Sequence, residues 1–175
     1  MKKSMLTVIA MAMLFMTACK KDNSENPAAT GGAATVTAGN YGFDGSASLG
    51  KFSSTKAGIT QTTVAGITTF SVSAIKDGSN ESITIILLQK AAVGKVQVGP
   101  SLSNGGIIIS KDYTKPADKT LNYTTDYSGA MAGGGEVNIT KVDGNTVEGT
   151  FYAIAYNNAR KEAFVEQGTF SGKIQ

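Results

Sequence analysis

From about residue 35 onward, the chain consists of short runs in which apolar and polar residues alternate. Phe70, Val72 and Ala74 lie on one face of an extended segment, with serines on the other. Asp77-Gly78 and Asp143-Gly144 are dipeptides typical of hairpin turns. No stretch in this region holds the i, i+3, i+4, i+7 apolar spacing of a helix over a useful length. The pattern predicts an all-β, antiparallel domain.

The strand at residues 82–88 is apolar on both faces, because Ile83, Ile85 and Leu87 alternate with Ile86 and Leu88. Such a run predicts a central strand covered from both sides. Short strands joined by glycine-rich turns fit two all-β architectures. We expect a single antiparallel β-sandwich, with a flattened barrel as the alternative.

The C-terminal segment contains two similar runs, Val147–Phe151 and Val165–Phe170. Because they are close in sequence, they are interpreted as the two strands of one hairpin, connected by residues 157–162. One register places Phe151 opposite Phe170 on the inner face. The same register places Glu148 opposite Lys173 on the outer face, where opposite charges attract.

The first nineteen residues have the order of a secretory signal peptide. Lys2 and Lys3 are followed by the apolar run 5–16 and then by Thr17-Ala18. The run is too short to cross a bilayer. Cys19, the only cysteine, follows the small residues as in the lipobox of bacterial lipoproteins. We expect cleavage before Cys19, lipidation of that residue and therefore attachment to a membrane without a transmembrane helix.

These features divide the chain into three parts. Residues 1–18 are the expected signal peptide, and residues 19–34 a flexible tether with Cys19 at its start. The tether is polar and then rich in alanine and glycine, so it cannot build a core. Residues 35–175 are the expected β domain, which is long enough for one hydrophobic core.

Composition excludes several classes of function. The chain has 16 Lys and Arg residues against 13 Asp and Glu, and Lys2 and Lys3 leave with the signal peptide. Without a basic cluster, nucleic acid is not an expected partner. The chain has no histidine, so Ser-His-Asp and Cys-His catalysis and histidine-ligated zinc are excluded. No cofactor, metal or catalytic residue is predicted.

The sequence also contains partial matches to catalytic motifs. Ser-x-x-Lys occurs three times, at Ser48–Lys51, Ser53–Lys56 and Ser73–Lys76, without the partner motifs of penicillin-recognising enzymes. A carboxylate pair for glycoside hydrolysis would have to come from four acidic residues. These are Glu136, Glu148, Glu166 and Asp143. We expect none of these to form an active site.

The stretch from Ser110 to Gly135 is the best candidate for a recognition surface. Tyr113, Tyr123 and Tyr127 lie there among Thr, Asn, Asp and Lys residues. Tyrosines in such surroundings suit sugars or protein partners. The alternative, which we favour, is a long connection whose tyrosines cover the edge of the core.

The same stretch also contains aspartates that could order around calcium, namely Asp112, Asp118 and Asp126. Solvated aspartates in turns are the commoner arrangement of such residues. Whether calcium binds is left open by the sequence.

The C-terminal third carries a family resemblance. A Gly135–Gly144 segment with the sequence GEVNITKVDG leads to Val147–Phe151 and then to Gly168-Thr169-Phe170. Together with the lipobox, this layout resembles small lipoproteins of Bacteroidota that carry β domains of unknown function. The resemblance implies a location in the cell envelope and an all-β fold, but no activity. Lys20-Lys21-Asp22 also resembles the signals that send such lipoproteins to the cell surface.

We therefore expect an outer-membrane lipoprotein whose β domain is non-enzymatic, with a structural role or a protein partner in the envelope. The alternative is an accessory lipoprotein that binds carbohydrate or another small ligand through the tyrosine-rich stretch. A histidine-free hydrolase is a third hypothesis. Exposure on the periplasmic side or on the cell surface stays open.

Overall fold

The computed structural model of this chain describes residues 34–128 and 131–175. The predicted signal peptide, Cys19 and the predicted tether up to residue 33 lie outside the described residues. The strands within them are β1 (Ala34–Phe43), β2 (Phe52–Val64), β3 (Ile67–Ile75), β4 (Ser82–Leu87), β5 (Gly94–Val98), β6 (Gly105–Ser110), β7 (Asn122–Thr124), β8 (Gly134–Asp143), β9 (Thr146–Tyr156) and β10 (Glu162–Lys173). In this part of the chain, no helix is long and apolar enough to span a membrane.

The strands form one sheet in the order β10-β1-β2-β3-β4-β6-β7-β9-β8-β5. Because strand β10 pairs with both β1 and β9, the sheet closes into an eight-stranded antiparallel barrel. Strand β8 pairs with β9, and β5 pairs with β8, so these two strands continue the same sheet. The all-β antiparallel prediction is confirmed, and of the two architectures the structure has the barrel. Closure removes free edges, which an open sandwich would have to protect.

The interior of the barrel is filled by the alternating apolar residues. Phe70, Val72 and Ala74 of β3 are fully buried, as are Val137 and Ile139 of β8. Burial of this kind stabilises the fold by about 25 cal/mol per Å² of apolar surface. The predicted inner faces of these two strands are therefore confirmed.

Strand β4 corrects one expectation. Ile83, Ile85 and Leu87 are buried, but Ile86 is only half-buried and Leu88 is exposed beyond the end of the strand. A barrel wall has a single core face, so its other face lies on the outside of the molecule. The prediction that this strand is covered from both sides was wrong.

The C-terminal hairpin is formed by β9 and β10 as predicted, but its register differs by two residues. Phe151 lies opposite Gly168, and Phe170 lies opposite Gly149. Each phenylalanine ring occupies the space that a β-carbon would need at the opposing glycine. This exchange of large and small residues fixes the register, and a shift of two residues keeps every side chain on its predicted face.

The outer pairing of that hairpin is also corrected. Glu148 lies opposite Ser171 instead of Lys173. Its carboxylate is 3.5 Å from Nζ of Lys141, on the neighbouring strand β8. The opposite charge near Glu148 therefore comes from Lys141 on β8 and not, as the sequence analysis expected, from Lys173 on β10.

The barrel has two ends, which the loops make different. At the tether end, β1 begins at Ala34, and the β2–β3 and β8–β9 turns lie at the same end. At the loop end lie the four longer connections 44–51, 76–81, 111–121 and 157–161. Candidate binding features are concentrated at the loop end.

Candidate functional site

A groove of about 490 Å³ lies on the outside of the barrel wall, close to the loop end. Its floor consists of the outward-facing residues of three neighbouring strands, because their alternate residues point into the core. Ile83, Ile109 and Tyr123 are the buried partners in this alternation. The floor residues are Ser82, Thr84, Ile108, Ser110, Asn122 and Thr124.

The walls of the groove come from two loops. Tyr113, Pro116 and Lys119 belong to the connection 111–121, and Asn158 belongs to the connection 157–161. Tyr113 is half-buried, so part of its ring is open to the groove. Its backbone N–H donates to the carbonyl of Asn80 at 2.9 Å, which holds this loop against the next one.

The 111–121 loop is held in shape by its own polar residues. Oδ1 of Asp112 accepts from the backbone and hydroxyl of Thr114, at 3.1 and 2.6 Å. Oδ1 of Asp118 accepts in the same way from Thr120, at 2.9 and 2.7 Å. These are the local turns that short polar side chains favour. The hydrogen bonds from the threonine hydroxyls lower the pKa of both carboxyl groups.

The two loops that form the walls are joined to each other. Nδ2 of Asn157 donates to the carbonyl of Thr120 at 2.7 Å, and Asn157 is buried. Its Oδ1 accepts from the backbone of Ala159 and of Lys161, at 3.0 and 2.9 Å. The groove therefore has fixed walls, although they are built from irregular backbone.

The chemistry of the lining is that of a binding site. It offers hydroxyl and amide groups, parts of tyrosine rings and one ammonium group, from Lys119. Of the described residues that line the groove, none carries a carboxylate or a thiol. Within the described residues, no three His, Cys, Asp or Glu side chains come together as metal ligands.

The loop end of the barrel is sealed by aromatic rings, over which two lysines lie. Nζ of Lys76 is 5.0 Å from the ring centre of Tyr41, and Nζ of Lys111 is 5.9 Å from that of Tyr123. The hydroxyl of Tyr41 donates to Glu81 at 2.7 Å, and that of Tyr123 donates to Asp44 at 2.6 Å. Each buried phenol thus has an acceptor, as a buried tyrosine requires.

Each of these two lysines also forms an ion pair. Nζ of Lys76 lies 3.1 Å from Oε2 of Glu81, and Lys111 pairs with Asp44. The hydrogen bonds from Lys111 and then from Tyr123 lower the pKa of Asp44. Burial acts to raise the pKa of Glu81, but the hydrogen bonds from Tyr41 and Lys76 outweigh it and lower the pKa overall. Burial, together with the adjacent carboxylate, raises the pKa of Tyr123.

Comparison with known proteins matches residues 53–172 to a family model described as a domain of unknown function. The chain belongs to the DUF6252 family. No curated protein and no solved structure matches it. The matched range begins in β2 and ends in β10, so the DUF6252 domain contains the whole groove. Strand β1, which closes the barrel between β2 and β10, lies outside the matched range.

The structure of the DUF6252 domain separates the three tyrosines that the sequence analysis grouped. Tyr113 stands at the wall of the groove. Tyr123 is 0% exposed and belongs to the core cluster, and it also borders the groove. Tyr127 packs against Tyr156, with ring centres 6.1 Å apart, and is not among the residues that line the groove.

Most of the groove was missed by the sequence analysis. Its floor comes from β4, β6 and β7; the segment of β4 was considered only for its apolar residues, and that of β6 was not singled out. The polar residues between those apolar ones were the available signal: Ser82 and Thr84 alternate with Ile83 and Ile85. In a barrel, such residues face the outside, so the closed architecture was needed to see that they form one surface.

The ion pairs of the DUF6252 domain predict a loss of stability in acid. Because the pKa values of Asp44 and Glu81 are lowered by folding, their stabilising effect is fully present above the unfolded-state pKa of about 4 and is lost as pH falls through the lower folded-state values. Urea unfolding between pH 7 and pH 2 measures this. We expect the Asp44→Asn and Glu81→Gln variants to lose less stability over the acid range than the unmodified protein.

The matched control for this experiment is Asp143→Asn, at an exposed position at the end of β8, beside the turn to β9. This variant should follow the unmodified protein at every pH. If the acid loss of stability is equally steep in Asp44→Asn and Glu81→Gln, the two carboxylates do not carry it.

Proposed function

We propose that this DUF6252 protein is a lipid-anchored protein of the outer membrane whose barrel is a non-enzymatic binding module, and that its groove binds carbohydrate. The observation that carries the proposal is the composition of the groove. Polar groups from three strands form the floor, and the partly open ring of Tyr113 stands at the wall.

A carbohydrate suits this lining in two ways. Sugar hydroxyls both donate and accept hydrogen bonds, which Ser82, Thr84 and Asn122 can return. The apolar face of a sugar ring can lie on the ring of Tyr113, which offers flat area at low entropic cost. Lys119 is the one charged group of the lining and would favour an acidic sugar.

The placement of the acidic residues supports binding without hydrolysis. Glycoside hydrolysis requires two carboxyl groups within about 10 Å of each other across the scissile bond. Glu136 is 3.1 Å from Lys95, and Glu148 pairs with Lys141, both on the outer face of β8 and β9. Neither lines the groove.

The Ser-x-x-Lys motif at Ser73–Lys76 is also used structurally. Lys76 donates to Tyr41 and pairs with Glu81. The hydrogen bond to Tyr41 is the main cause of the raised pKa of Lys76. A lysine held as ammonium cannot serve as the general base that this motif requires.

The anchor is supported by sequence alone. The basic start, the apolar run and Cys19 after Thr17-Ala18 form the expected lipoprotein signal. Lipidation at Cys19 would place the barrel at the outer membrane on a tether that ends at Ala34. Two acyl chains give stable anchoring, since each buried methylene contributes about 0.8 kcal/mol.

A thermal-shift experiment tests binding. The mature protein in detergent is heated with soluble oligosaccharides: xylan, β-glucan and acidic polygalacturonate fragments and peptidoglycan-derived muropeptides. A ligand at one hundred times its Kd stabilises the folded state by about 2.7 kcal/mol, which raises the melting temperature visibly. We expect Tyr113→Ala to weaken binding by about tenfold, because it removes the open aromatic surface.

The control is Tyr152→Ala, which removes an exposed tyrosine from β9, outside the groove. Its affinity should equal that of the unmodified protein. Equal losses in both variants, or binding that neither variant changes, would contradict the proposed site.

A second candidate function is binding to an envelope protein, favoured by the outer face of β9. Tyr152 and Ile154 are exposed there, and Tyr152 borders a hollow of about 340 Å³ with Glu136 and Gln167. Exposed tyrosine beside apolar surface is characteristic of protein contacts. If no oligosaccharide stabilises the protein and Tyr152→Ala abolishes crosslinks to an envelope protein in the membrane, this candidate replaces carbohydrate binding.

A further inference from the structure

The hairpin formed by β2 and β3 projects beyond the barrel at the tether end. Its strands pair from Gly58 with Ser73 to Val64 with Ile67. Strand β4 accompanies β3 only as far as Phe70, which lies opposite Leu87. The tip therefore extends past the neighbouring strand.

The tip of this hairpin is apolar and open. Val64 and Ile67 are 73% and 63% exposed. Ala65 and Gly66 make the turn between them with positive φ angles of 49° and 83°. Burial of apolar side chains such as these lowers the free energy relative to their exposure in water. An exposed pair at a projecting tip therefore indicates a surface that contacts another apolar phase or molecule.

The part of the hairpin that projects beyond the barrel lacks charge. No Asp, Glu, Lys or Arg occurs between Lys56 and Lys76. Projecting strands in soluble proteins are normally protected by charged side chains. At the loop end, by contrast, each of the four long connections carries charged residues.

Other side chains at the tether end have the same character. Leu88 and Val93, in the loop after β4, are exposed, and so is Val142 at the end of β8. The charged residues in or beside the turns of this end are Lys90, Lys141, Lys173, Asp143 and Glu148, of which Lys141 and Glu148 form an ion pair. Apolar side chains accompanied by an excess of lysine are characteristic of surfaces that contact anionic bilayers.

The point at which the segment after Cys19 joins the barrel argues that this end faces the bilayer. β1 begins at Ala34, so the segment that follows Cys19 joins the barrel here. A tether of about fifteen residues, as the sequence predicts between Cys19 and β1, would span roughly 20 Å and would keep this end close to the head groups once Cys19 is lipidated. Lys20 and Lys21 add positive charge beside the anchor.

We propose that the tether end of the barrel lies on the anionic bilayer, with Val64 and Ile67 of the β2–β3 tip inserted among the lipid head groups. This rests on the proposed anchor at Cys19. In that orientation the loop end points away from the membrane, and the groove near it is open to ligands in solution.

The absence of tryptophan from the sequence permits a direct test. Ile67→Trp and, separately, Val64→Trp place a single reporter at the exposed tip. Leu49→Trp places a matched reporter in the loop 44–51 at the opposite end, where Leu49 is 50% exposed. The full lipidated proteins are reconstituted in vesicles of phosphatidylcholine and phosphatidylglycerol, with or without brominated acyl chains.

We expect brominated lipid to quench the Ile67→Trp and Val64→Trp reporters by about half and to shift their emission to the blue, with little effect on Leu49→Trp. Equal quenching of the reporters at both ends, or none at the tip, would overturn the orientation. A blue shift that brominated lipid leaves unquenched would mean that the tip docks on protein and would also overturn it.

Flotation of the vesicles distinguishes this inference from the anchor. If the protein floats with the vesicles but the tip reporters are unquenched, the anchor stands and the orientation is wrong. If the protein does not float, the anchor and the orientation both fail.

Discussion

Replacing Cys19 by serine is expected to release the protein from the membrane fraction and to abolish acyl labelling. The thiol of Cys19 is the only one in the chain, so no other cysteine can take the lipid. Without acyl chains, the hydrophobic contribution of about 0.8 kcal/mol per buried methylene is lost. Metabolic labelling with a fatty-acid analogue and fractionation of the cells measure both effects.

Ala18→Ser is the matched control, since it changes the neighbouring position and keeps a small residue there. It should still be labelled and remain in the membrane fraction. Persistent acyl labelling of Cys19→Ser would contradict the proposed lipoprotein.

The second large effect is expected for Phe170→Ala, which should lower the free energy of unfolding by about 3–5 kcal/mol. Phe170 is buried, and its ring lies over Gly149 and near the rings of Phe70 and Phe151. Because Gly149 has no side chain that could fill the space, the cavity cannot close easily. Urea unfolding followed by far-ultraviolet circular dichroism measures the change.

The control for Phe170→Ala is Tyr152→Ala, on the outer face of the same hairpin. Tyr152 is 50% exposed, so its removal should change stability by less than about 1 kcal/mol. A loss in Phe170→Ala no larger than in Tyr152→Ala would contradict the pairing of each phenylalanine with an opposing glycine.

The sequence was sufficient to predict parts of β3, β4, β8 and the C-terminal hairpin, with the inner faces of β3 and β8, because alternation is a local property. Phe70, Val72 and Ala74 are buried together for that reason alone. It was insufficient to choose the barrel over the sandwich. Closure depends on the pairing of β1 with β10, at opposite ends of the domain, and no local pattern specifies such a contact.

The register of the C-terminal hairpin shows a finer limit. A period of two determines which face a residue takes but leaves registers that differ by two residues equivalent. What separates them is the fit of Phe151 over Gly168 and of Phe170 over Gly149. Pairing like with like, as the sequence analysis did, overlooked this exchange of volume.

The sequence predicted the part of the chain that contributes the 111–121 wall of the groove, but not the groove itself. Tyr113 belongs to the irregular loop 111–121, and Tyr123 to a strand of three residues, too short for alternation to show its direction. The groove floor depends on β4 and β6 lying side by side, a contact between segments separated by the whole of β5. Only the folded chain brings these residues to one surface.

The most direct test of the central claim is to locate the bound ligand on the protein. Hydrogen–deuterium exchange is measured on the lipidated protein in detergent, with and without the oligosaccharide that gives the largest thermal shift. We expect the ligand to slow exchange in residues 111–121 and 157–161, which form the groove walls, and to leave the β2–β3 tip unchanged. A ligand that stabilises the protein but slows exchange only elsewhere, such as along the outer face of β9, would contradict the groove as the binding site.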